Sequence, residues 1–407
     1  MRPHASGFSR KKVLVVGAGP AGSIAALVLA RAGVDVRLLD RAQFPRDKLC
    51  GDTLNPGSLS ILDRLRVKRP DGLPLRGMVV TGPDGARVEA AYPDGLHGLA
   101  VRRADLDAHL VNTAINAGAV FTSGITARLP ILSADGRRVI GVQTADAFEP
   151  ADVLIAAEGR QTRLASQLGL TRFVRTPKRW AFGAYFTNVR DVSDRGEMHV
   201  RRNGYVGVAP LPGGLTNVCV VMELSELRTP NQNVNPNARA RSPKPRALSG
   251  FSHKAAANII EDAIAADPAL RARFAGAAQV GNAMTLGPLG IEARAAGCPG
   301  LLLAGDAAGF IDPVTGDGIR FALRGGELAA EAALHELRTG QPAHAILRAA
   351  RVEEFGAKWR MNKALRLLLS SPRAVGLAAS VASHWPAPLR AVVDRAGDVP
   401  LARRQRS

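Results

Sequence analysis

The first forty residues carry a pattern of apolar and small residues that predicts a strand, a helix and a second strand. Residues 13–16 form a short aliphatic run, residues 17–22 read GAGPAG, and residues 23–32 are small and apolar. A second, mostly apolar run covers residues 35–39 and ends at Asp40. Two strands joined by a glycine turn and a helix are typical of the start of an α/β domain.

The rest of the pattern predicts two kinds of sheet and a helical end. Short alternating segments bounded by turn residues predict strands, and longer periodic segments predict helices. The predicted strands lie at residues 76–81, 87–91, 136–144, 153–157 and 301–304, and in a separate strand-rich stretch at 180–222. The predicted helices lie at residues 56–66, at 103–117, from 315 onward, and throughout the C-terminal third.

One polar segment and one pair of basic segments differ from the rest of the pattern. Residues 229–248, rich in Asn, Pro, Arg and Ser, predict a surface loop. Residues 363–369 and 373–382 place arginines beside Leu and Val. This arrangement is typical of helices that pack on a core, and the alternative is a basic amphipathic surface for a membrane.

Composition narrows the class of protein. The chain has 407 residues, 46% of them hydrophobic, which predicts a globular protein of two or three packed domains. Its 54 Lys and Arg against 35 Asp and Glu give a net charge of +19. These cations are spread along the chain with few aromatic residues beside them, so we expect no nucleic-acid partner. Three cysteines at irregular spacing predict neither disulfides nor a zinc site, and they indicate a reducing cytoplasm.

The glycine turn has the spacing of a dinucleotide-binding motif. It follows a strand and opens a helix, so that backbone N–H groups and the positive end of the helix dipole meet a pyrophosphate. Asp40 lies at the spacing where an acidic side chain accepts hydrogen bonds from the adenosine ribose. The predicted cofactor residues here are Gly17, Gly19, Pro20, Ala21, Gly22, Asp40 and Arg41.

The far end of the chain distinguishes FAD from NAD. Residues 305–319, GDAAGFIDPVTGDGI, resemble the second flavin motif of the FAD-dependent family that contains para-hydroxybenzoate hydroxylases, geranylgeranyl reductases and flavin-dependent halogenases. The resemblance implies that Asp306 binds the ribityl chain and that the later glycines approach the isoalloxazine. It adds to the predicted FAD site Gly305, Asp306, Pro313, Gly316, Gly318 and Ile319.

Two further segments resemble the same family in the expected order. Residues 153–164, VLIAAEGRQTRL, are similar to its central Asp-Gly segment, with Glu158 in place of the usual aspartate before Gly159. Arg103, in VRRADLD at 101–107, matches the arginine that reaches the cofactor at the head of a helix. The alternative for Arg103 is an exposed arginine at a helix start. The resemblance implies that Arg103, Glu158 and Gly159 bind FAD.

A cysteine segment favours the geranylgeranyl reductase branch. Residues 46–52, RDKLCGD, resemble the Lys-x-Cys-Gly segment that borders the flavin in that branch. The resemblance places Cys50 and Gly51 at the cofactor. A thiol beside Lys48 is also a candidate acid or redox group with a lowered pKa, and the alternative is an inert buried cysteine.

Residues 205–210 differ from the same branch in a way that predicts a wider cavity at the flavin. Residues 205–210, YVGVAP, keep the first and last residues of its Tyr-x-Trp-x-Phe-Pro segment, which makes Tyr205 the second catalytic candidate. Gly207 and Ala209 replace the other two aromatic residues, which predicts extra volume above the flavin unless Trp180 or Phe186 fills it. The Trp-x-Trp-x-Ile-Pro segment of the halogenases is absent from the sequence, so we expect no halogenation.

These observations predict an α/β fold with three regions. The first is a Rossmann-like FAD-binding domain of the glutathione-reductase type, discontinuous over residues 1–75, 96–175 and 285–340. The second is an inserted antiparallel-sheet substrate domain at 76–95 and 176–284. The third is a helical C-terminal region at 341–407.

The predicted function is that of an FAD-dependent oxidoreductase. We expect hydride transfer from reduced, noncovalently bound FAD to a hydrophobic prenyl or quinone-like molecule. The alternative is a monooxygenase that hydroxylates an aromatic or polyketide-type compound through a flavin hydroperoxide. With one glycine-rich nucleotide unit in the sequence, NAD(P)H, if it is the electron donor, binds transiently. We expect no metal and a cytoplasmic location, with peripheral membrane contact as an open alternative.

Overall fold

The computed structural model describes residues 11–93, 95–174, 179–201, 204–223, 225, 251–310, 312–369, 371–385 and 387–397. The loop predicted at residues 229–248 lies outside these ranges. The strands, in chain order, are β1 (Lys12–Val16), β2 (Asp35–Asp40), β3 (Thr53–Leu54), β4 (Leu73–Leu75), β5 (Gly77–Thr81), β6 (Arg87–Ala91), β7 (Gly98–Ala100), β8 (Val120–Ser123), β9 (Leu129–Leu132), β10 (Val139–Gln143), β11 (Phe148–Pro150), β12 (Val153–Ala156), β13 (Thr171–Phe173), β14 (Arg179–Thr187), β15 (Gly196–Arg201), β16 (Gly204–Pro210), β17 (Thr216–Glu223), β18 (Ala278–Leu286), β19 (Ile291–Ala293), β20 (Gly297–Cys298) and β21 (Leu301–Leu303). The helices are α1 (Pro20–Arg31), α2 (Pro56–Arg64), α3 (Arg103–Asn116), α4 (Arg163–Gln167), α5 (His253–Ala266), α6 (Pro268–Phe274), α7 (Gly318–Thr339), α8 (Ala343–Leu369), α9 (Pro372–His384) and α10 (Ala387–Ala396).

A six-stranded sheet forms one half of the molecule, in the order β20-β21-β12-β1-β2-β8. Strands β21, β12, β1, β2 and β8 are parallel, and β20 is antiparallel to β21. Helices α1, α3 and α7 pack together against this sheet, and their aliphatic side chains form its largest core with those of β1 and β2. The predicted α/β fold with a Rossmann-like core is confirmed.

A seven-stranded sheet forms the other half, in the order β18-β14-β17-β16-β15-β5-β6. Its neighbours are antiparallel except for β15 and β5, which run parallel. Because side chains alternate along a strand, one face of this sheet packs on α5 and α6 and the other faces the six-stranded half. The strand-rich stretch at 180–222 therefore belongs to a separate sheet, as its pattern predicts, and β5 and β6 join it from an earlier part of the chain.

The predicted start of helix α7 is wrong. The helix expected from residue 315 begins at Gly318, because Pro313–Thr315 form a single 3₁₀ turn. Gly316 then adopts a φ of +67°, a left-handed conformation that interrupts a right-handed helix and favours glycine. The turn exposes backbone at the start of α7.

The three C-terminal helices lie at the edge of the seven-stranded sheet that β6 forms. Helix α8 packs on α7, while α9 and α10 pack on β6. A buried polar cluster holds the end of α10, where Asn55 Nδ2 and Lys358 Nζ both donate to the Ala396 carbonyl and to Asp317 Oδ1. Within the described ranges, the helices are all too short or too polar to cross a membrane.

Candidate functional site

A cavity of about 210 Å³ lies between the two large sheets. Most of the residues predicted to form the cofactor site line it, together with the catalytic candidate Tyr205, although they come from distant parts of the chain. They are Gly19, Pro20, Ala21, Cys50, Gly51, Arg103, Gly159, Tyr205, Gly305, Asp306, Pro313, Gly316, Gly318 and Ile319. We call this the flavin cavity.

Five predicted cofactor residues do not line the flavin cavity, and they are Gly17, Gly22, Asp40, Arg41 and Glu158. Gly17 has a φ of +101°, and a Cβ there would lie 2.3 Å from the Ala157 carbonyl oxygen. Gly22 is buried in the first turn of α1, against the Gly17 carbonyl. Both glycines let the turn pack closely on β12, which brings the N-terminus of α1 to the cavity.

The predicted acidic residues are held by backbone amides. Asp40 is buried, and its two oxygens accept from Ala18 N at 2.7 Å and Ala42 N at 2.8 Å. Glu158 Oε2 accepts from Leu164 N at 3.0 Å, at the first turn of α4. Burial raises the pKa of Glu158 to about 7, although the backbone hydrogen bonds oppose the rise. Arg41 is exposed and lies near this carboxylate.

Arg103 is a buried residue of the cavity wall, which excludes the exposed alternative. Its Nε and Nη2 donate to the two oxygens of Asp107 at 3.0 and 2.8 Å. Arg46 Nη1 lies 3.1 Å from the same carboxylate. Burial disfavours the charge of Arg103, yet the Asp107 carboxylate outweighs this effect, and the pKa of the guanidinium is raised. The guanidinium is therefore a fixed positive charge beside Cys50.

Cys50 lines the flavin cavity, and of the two alternatives that the sequence left open the structure does not support a thiol with a lowered pKa. Burial raises the pKa of its thiol, although Arg103 opposes the rise. Lys48, expected to stabilise the thiolate, is itself desolvated, and burial lowers the pKa of its ammonium group. Cys50 is therefore a neutral thiol at neutral pH.

Tyr205 also lines the flavin cavity, with its hydroxyl committed to a buried carboxylate. It donates to Asp312 Oδ1 at 2.6 Å, and Arg179 Nη1 donates to Asp312 Oδ2 at 3.0 Å. Burial and the nearby Asp312 raise the pKa of Tyr205 well above its usual value. The phenol thus fixes the wall of the cavity through Asp312, which also accepts from Val314 N in the flavin motif.

A second buried carboxylate, Asp52, lies behind the Cys50 segment. Asp52 has a left-handed φ of +54°, and its oxygens accept from Asn217 Nδ2 at 2.7 Å and Arg103 N at 3.2 Å. Burial raises its pKa to about 6, against the effect of the Asn217 hydrogen bond. Asn217 also donates to the Cys50 carbonyl. Its two hydrogen bonds, to Cys50 and to Asp52, therefore hold residues 50–52 against β17.

The residues of the flavin cavity fit FAD. The Arg160 side chain is buried at the cavity wall, and its Nε and Nη1 have no protein partner. Lys48 and Arg103 add two more cations to the same wall, a set that matches an anionic cofactor. The backbone at Gly316 and Gly318 is open, since a Cβ there would meet no atom within 4 Å.

A second, larger cavity adjoins the first. It has a volume of about 570 Å³ and lies between β5 and β6 on one side and helices α8, α9 and α10 on the other. Its lining is predominantly aliphatic, so we call it the apolar cavity. The two cavities meet at residues that line both: Thr53, Met78, Met198, Val314, Thr315 and Gly316.

The two rings that could have filled the flavin cavity beside Gly207 and Ala209 lie elsewhere. Gly207 and Ala209 both line the flavin cavity. Trp180 and Phe186 lie in the core on the other face of the sheet, where Trp180 packs edge-on against Phe251 at 5.2 Å. Neither ring fills the space left by the missing aromatic residues.

Sequence reasoning missed several residues that shape the site. Arg179, Asn217 and Cys219 lie on strands whose alternation predicts a buried face but carries no sign of a partner more than a hundred residues away. Asp312 and Arg160 stand inside the two recognised motifs, and that position was the available signal.

The fold and the site together define an FAD-dependent oxidoreductase. Comparison with known proteins agrees, because the FAD binding domain family matches residues 10–354. The chain belongs to that family. It is 32% identical over 343 residues to a menaquinone reductase of Mycolicibacterium smegmatis, covering 79% of this chain and 76% of that protein.

Solved structures share the fold. A geranylgeranyl bacteriochlorophyll reductase-like protein from Thermoplasma acidophilum has a TM-score of 0.75 at 22% identity, covering 96% of this chain and 99% of that one. A flavin-dependent brominase has a TM-score of 0.76 at 20% identity, covering 95% and 93%. At these identities the likeness concerns the fold alone. The predicted superfamily, its geranylgeranyl-reductase-like branch and the FAD cofactor are confirmed.

Proposed function

We propose that the protein reduces a lipid-like molecule with a prenyl or quinone-like reacting group, using hydride from reduced FAD. The observation that carries the proposal is the junction between the two cavities. A reacting group in the flavin cavity has direct access to about 570 Å³ of apolar space, which suits a long hydrocarbon chain. The menaquinone reductase relative supports the same class of substrate.

The wall of the flavin cavity would hold and orient both reactants. Asp306, Arg160 and the N-terminus of α1 would bind the ribityl and phosphate groups of FAD. Bound FAD, once reduced, supplies the hydride. Gly207 and Ala209 leave room in the flavin cavity for a planar ring or an isoprene unit, and the aliphatic walls exclude water.

Cys50 would supply the proton that completes the reduction. For an alkene, one carbon receives the hydride and the adjacent carbon receives the proton from Cys50 Sγ, and the thiolate is then reprotonated from solvent. Burial keeps the thiol protonated until the reaction, and the Arg103 charge stabilises the thiolate that forms. The Tyr205 hydroxyl donates its hydrogen bond to Asp312 and keeps its proton because burial raises its pKa, so we assign Tyr205 a positioning role in place of an acid.

The test compares product chemistry with oxygen use. FAD-loaded protein, NAD(P)H and a prenylated quinone or geranylgeranyl lipid should give quinol or saturated product without stoichiometric oxygen consumption. Oxygen consumption coupled to a hydroxylated product would instead establish the monooxygenase alternative.

Cysteine variants test the proton donor. Cys50→Ser should lower turnover of an alkene substrate by about 10²-fold or more, because a positioned acid contributes that much to such a step. Cys298→Ser is the matched control, since Cys298 lies on β20 outside both cavities. Equal activity of the two variants would refute the role of Cys50 and leave the hydride step to be tested separately.

A further inference from the structure

The apolar cavity has an outer rim made by one face of α9. Leu377, Val381 and Trp385 line this cavity and are nevertheless 69, 46 and 64% exposed. Their spacing of four residues places them in one row, with Trp385 at the end of the helix. The row is therefore both a wall of the cavity and an apolar surface open to solvent.

This exposure is not a failure of α9 to pack. Val375 and Ala379, on another face of the same helix, are buried at 2 and 8% exposure. Val375 belongs to the same core cluster as Leu369, Ala379 lies against Gly82, and α9 as a whole packs on β6 and the turn Pro83–Gly85. The helix thus carries two apolar stripes, and only one of them belongs to the core. A second apolar stripe at a cavity rim indicates an interaction surface.

The C-terminal helices on this side of the apolar cavity carry charge of one dominant sign. Residues 360–397 contain six Lys and Arg and a single acidic residue, Asp394. Arg360, Lys363, Arg373, Arg390 and Arg395 are exposed. A row of aliphatic and Trp side chains, with exposed cations on the same and the neighbouring helices, is complementary to an anionic lipid surface, where the apolar row enters the acyl region and the cations meet headgroups.

We propose that α9 and its flanking cations dock on an anionic membrane surface and turn the mouth of the apolar cavity toward the bilayer. A lipid chain would then pass from the bilayer into the cavity along Leu377, Val381 and Trp385 without crossing water. The docking stands on the surface alone, whereas the passage of substrate rests on the function proposed above.

The direct test is vesicle binding by the FAD-loaded full chain. Vesicles of phosphatidylcholine with phosphatidylglycerol should bind the protein, and phosphatidylcholine alone should bind it more weakly. Because the other two tryptophans, Trp180 and Trp359, belong to the core, Trp385 should account for a blue shift of the fluorescence on binding, and Trp385→Phe should abolish that shift. Leu377→Gln should weaken binding about tenfold, with Ile115→Gln, an exposed position on α3, as the matched control.

A charge variant separates docking from catalysis. Arg373→Gln combined with Arg390→Gln should weaken binding to anionic vesicles about thirty-fold, the effect of two lost cations at the surface. Its activity with a short-chain quinone in the absence of vesicles should equal that of the unmodified protein. The control is Arg137→Gln combined with Arg271→Gln, two exposed arginines elsewhere.

The possible results distinguish failure of the docking proposal from failure of the proposed function. Equal vesicle binding by the charge variant and its control, or no binding to anionic vesicles, would overturn the docking proposal while leaving short-chain quinone reduction intact. A dimer in solution that Leu377→Gln dissociates would also overturn it, because a second copy would then be the occupant. Vesicle binding without any quinone or prenyl reduction would retain the docking and overturn the proposed function.

Discussion

Filling the flavin cavity from the seven-stranded sheet should block substrate without disturbing the fold. Gly207 lies on β16 outside the left-handed region, and a Cβ there would have its nearest neighbours at 3.8 Å (Cys219 O) and 4.0 Å (Glu197 O). Gly207→Phe therefore adds its ring to open space. In a cavity of about 210 Å³, a ring with roughly 150–250 Å² of surface competes directly with the substrate.

We expect a loss of kcat/KM because the Phe ring and the substrate would crowd each other in the same cavity. Its size is taken from the usual free-energy cost of overpacking. That cost is about 1–3 kcal/mol, which lowers kcat/KM for a quinone or prenyl substrate by roughly 5- to 150-fold. Steady-state kinetics and an FAD titration measure the two effects, and FAD affinity should be unchanged. Gly276→Phe, at an exposed position with no atom within 4 Å, is the matched control. Unimpaired turnover by Gly207→Phe would refute the placement of substrate over Gly207 and Ala209.

Three further variants test individual parts of the site. Asp312→Ala should lower the free energy of unfolding by about 3–5 kcal/mol in urea titrations, because Arg179 would be left as a buried unpaired charge, and a loss under about 1 kcal/mol would contradict this. The raised pKa of Asp52, about 6, means that its folded-state charge is unfavourable, so the unmodified protein should lose about 3 kcal/mol relative to Asp52→Asn as the pH rises from about 4 to above 6; parallel stability curves across that range would disprove the pKa shift. Arg160→Ala should weaken FAD binding about 10- to 100-fold in fluorescence titrations, whereas the exposed Arg163→Ala should not, and equal affinities would remove Arg160 from the cofactor site.

The parts of the fold that local patterns determine were predictable. The first strand, turn and helix depend on residues close to one another along the chain, and β1 and β2 lie where the pattern puts them, while α1 begins at Pro20, earlier than the predicted start at Ser23. The glycine motifs were predictable because a tight turn and a close backbone approach restrict the residue type. The helix at 318 shows the limit of periodicity, since Gly316 in a left-handed turn overrides a pattern that continues through it.

The features that depend on distant contacts were not predictable. The sequence left open whether the Cys50 thiol has a lowered pKa or is an inert buried group, because proximity to Lys48 along the chain says nothing about burial, which dominates the shift and raises the pKa. Tyr205 was recognised, but its partner Asp312 lies 107 residues away. The apolar cavity arises where the C-terminal helices meet β5 and β6, and the sequence left open whether those helices cover a core or face a membrane. In α9 the structure has one apolar stripe for the core and another at the surface.

The central claim is that electrons leave the flavin for a lipid-like substrate and not for oxygen. An anaerobic single-turnover experiment tests it most directly. The FAD-loaded protein is reduced, mixed with a prenylated quinone in detergent, and followed by its flavin absorbance. We predict complete return of the oxidised-flavin spectrum with one quinol formed per flavin. A flavin that stays reduced with every quinone and prenyl compound until oxygen is admitted, and then yields a hydroxylated product, would contradict the account.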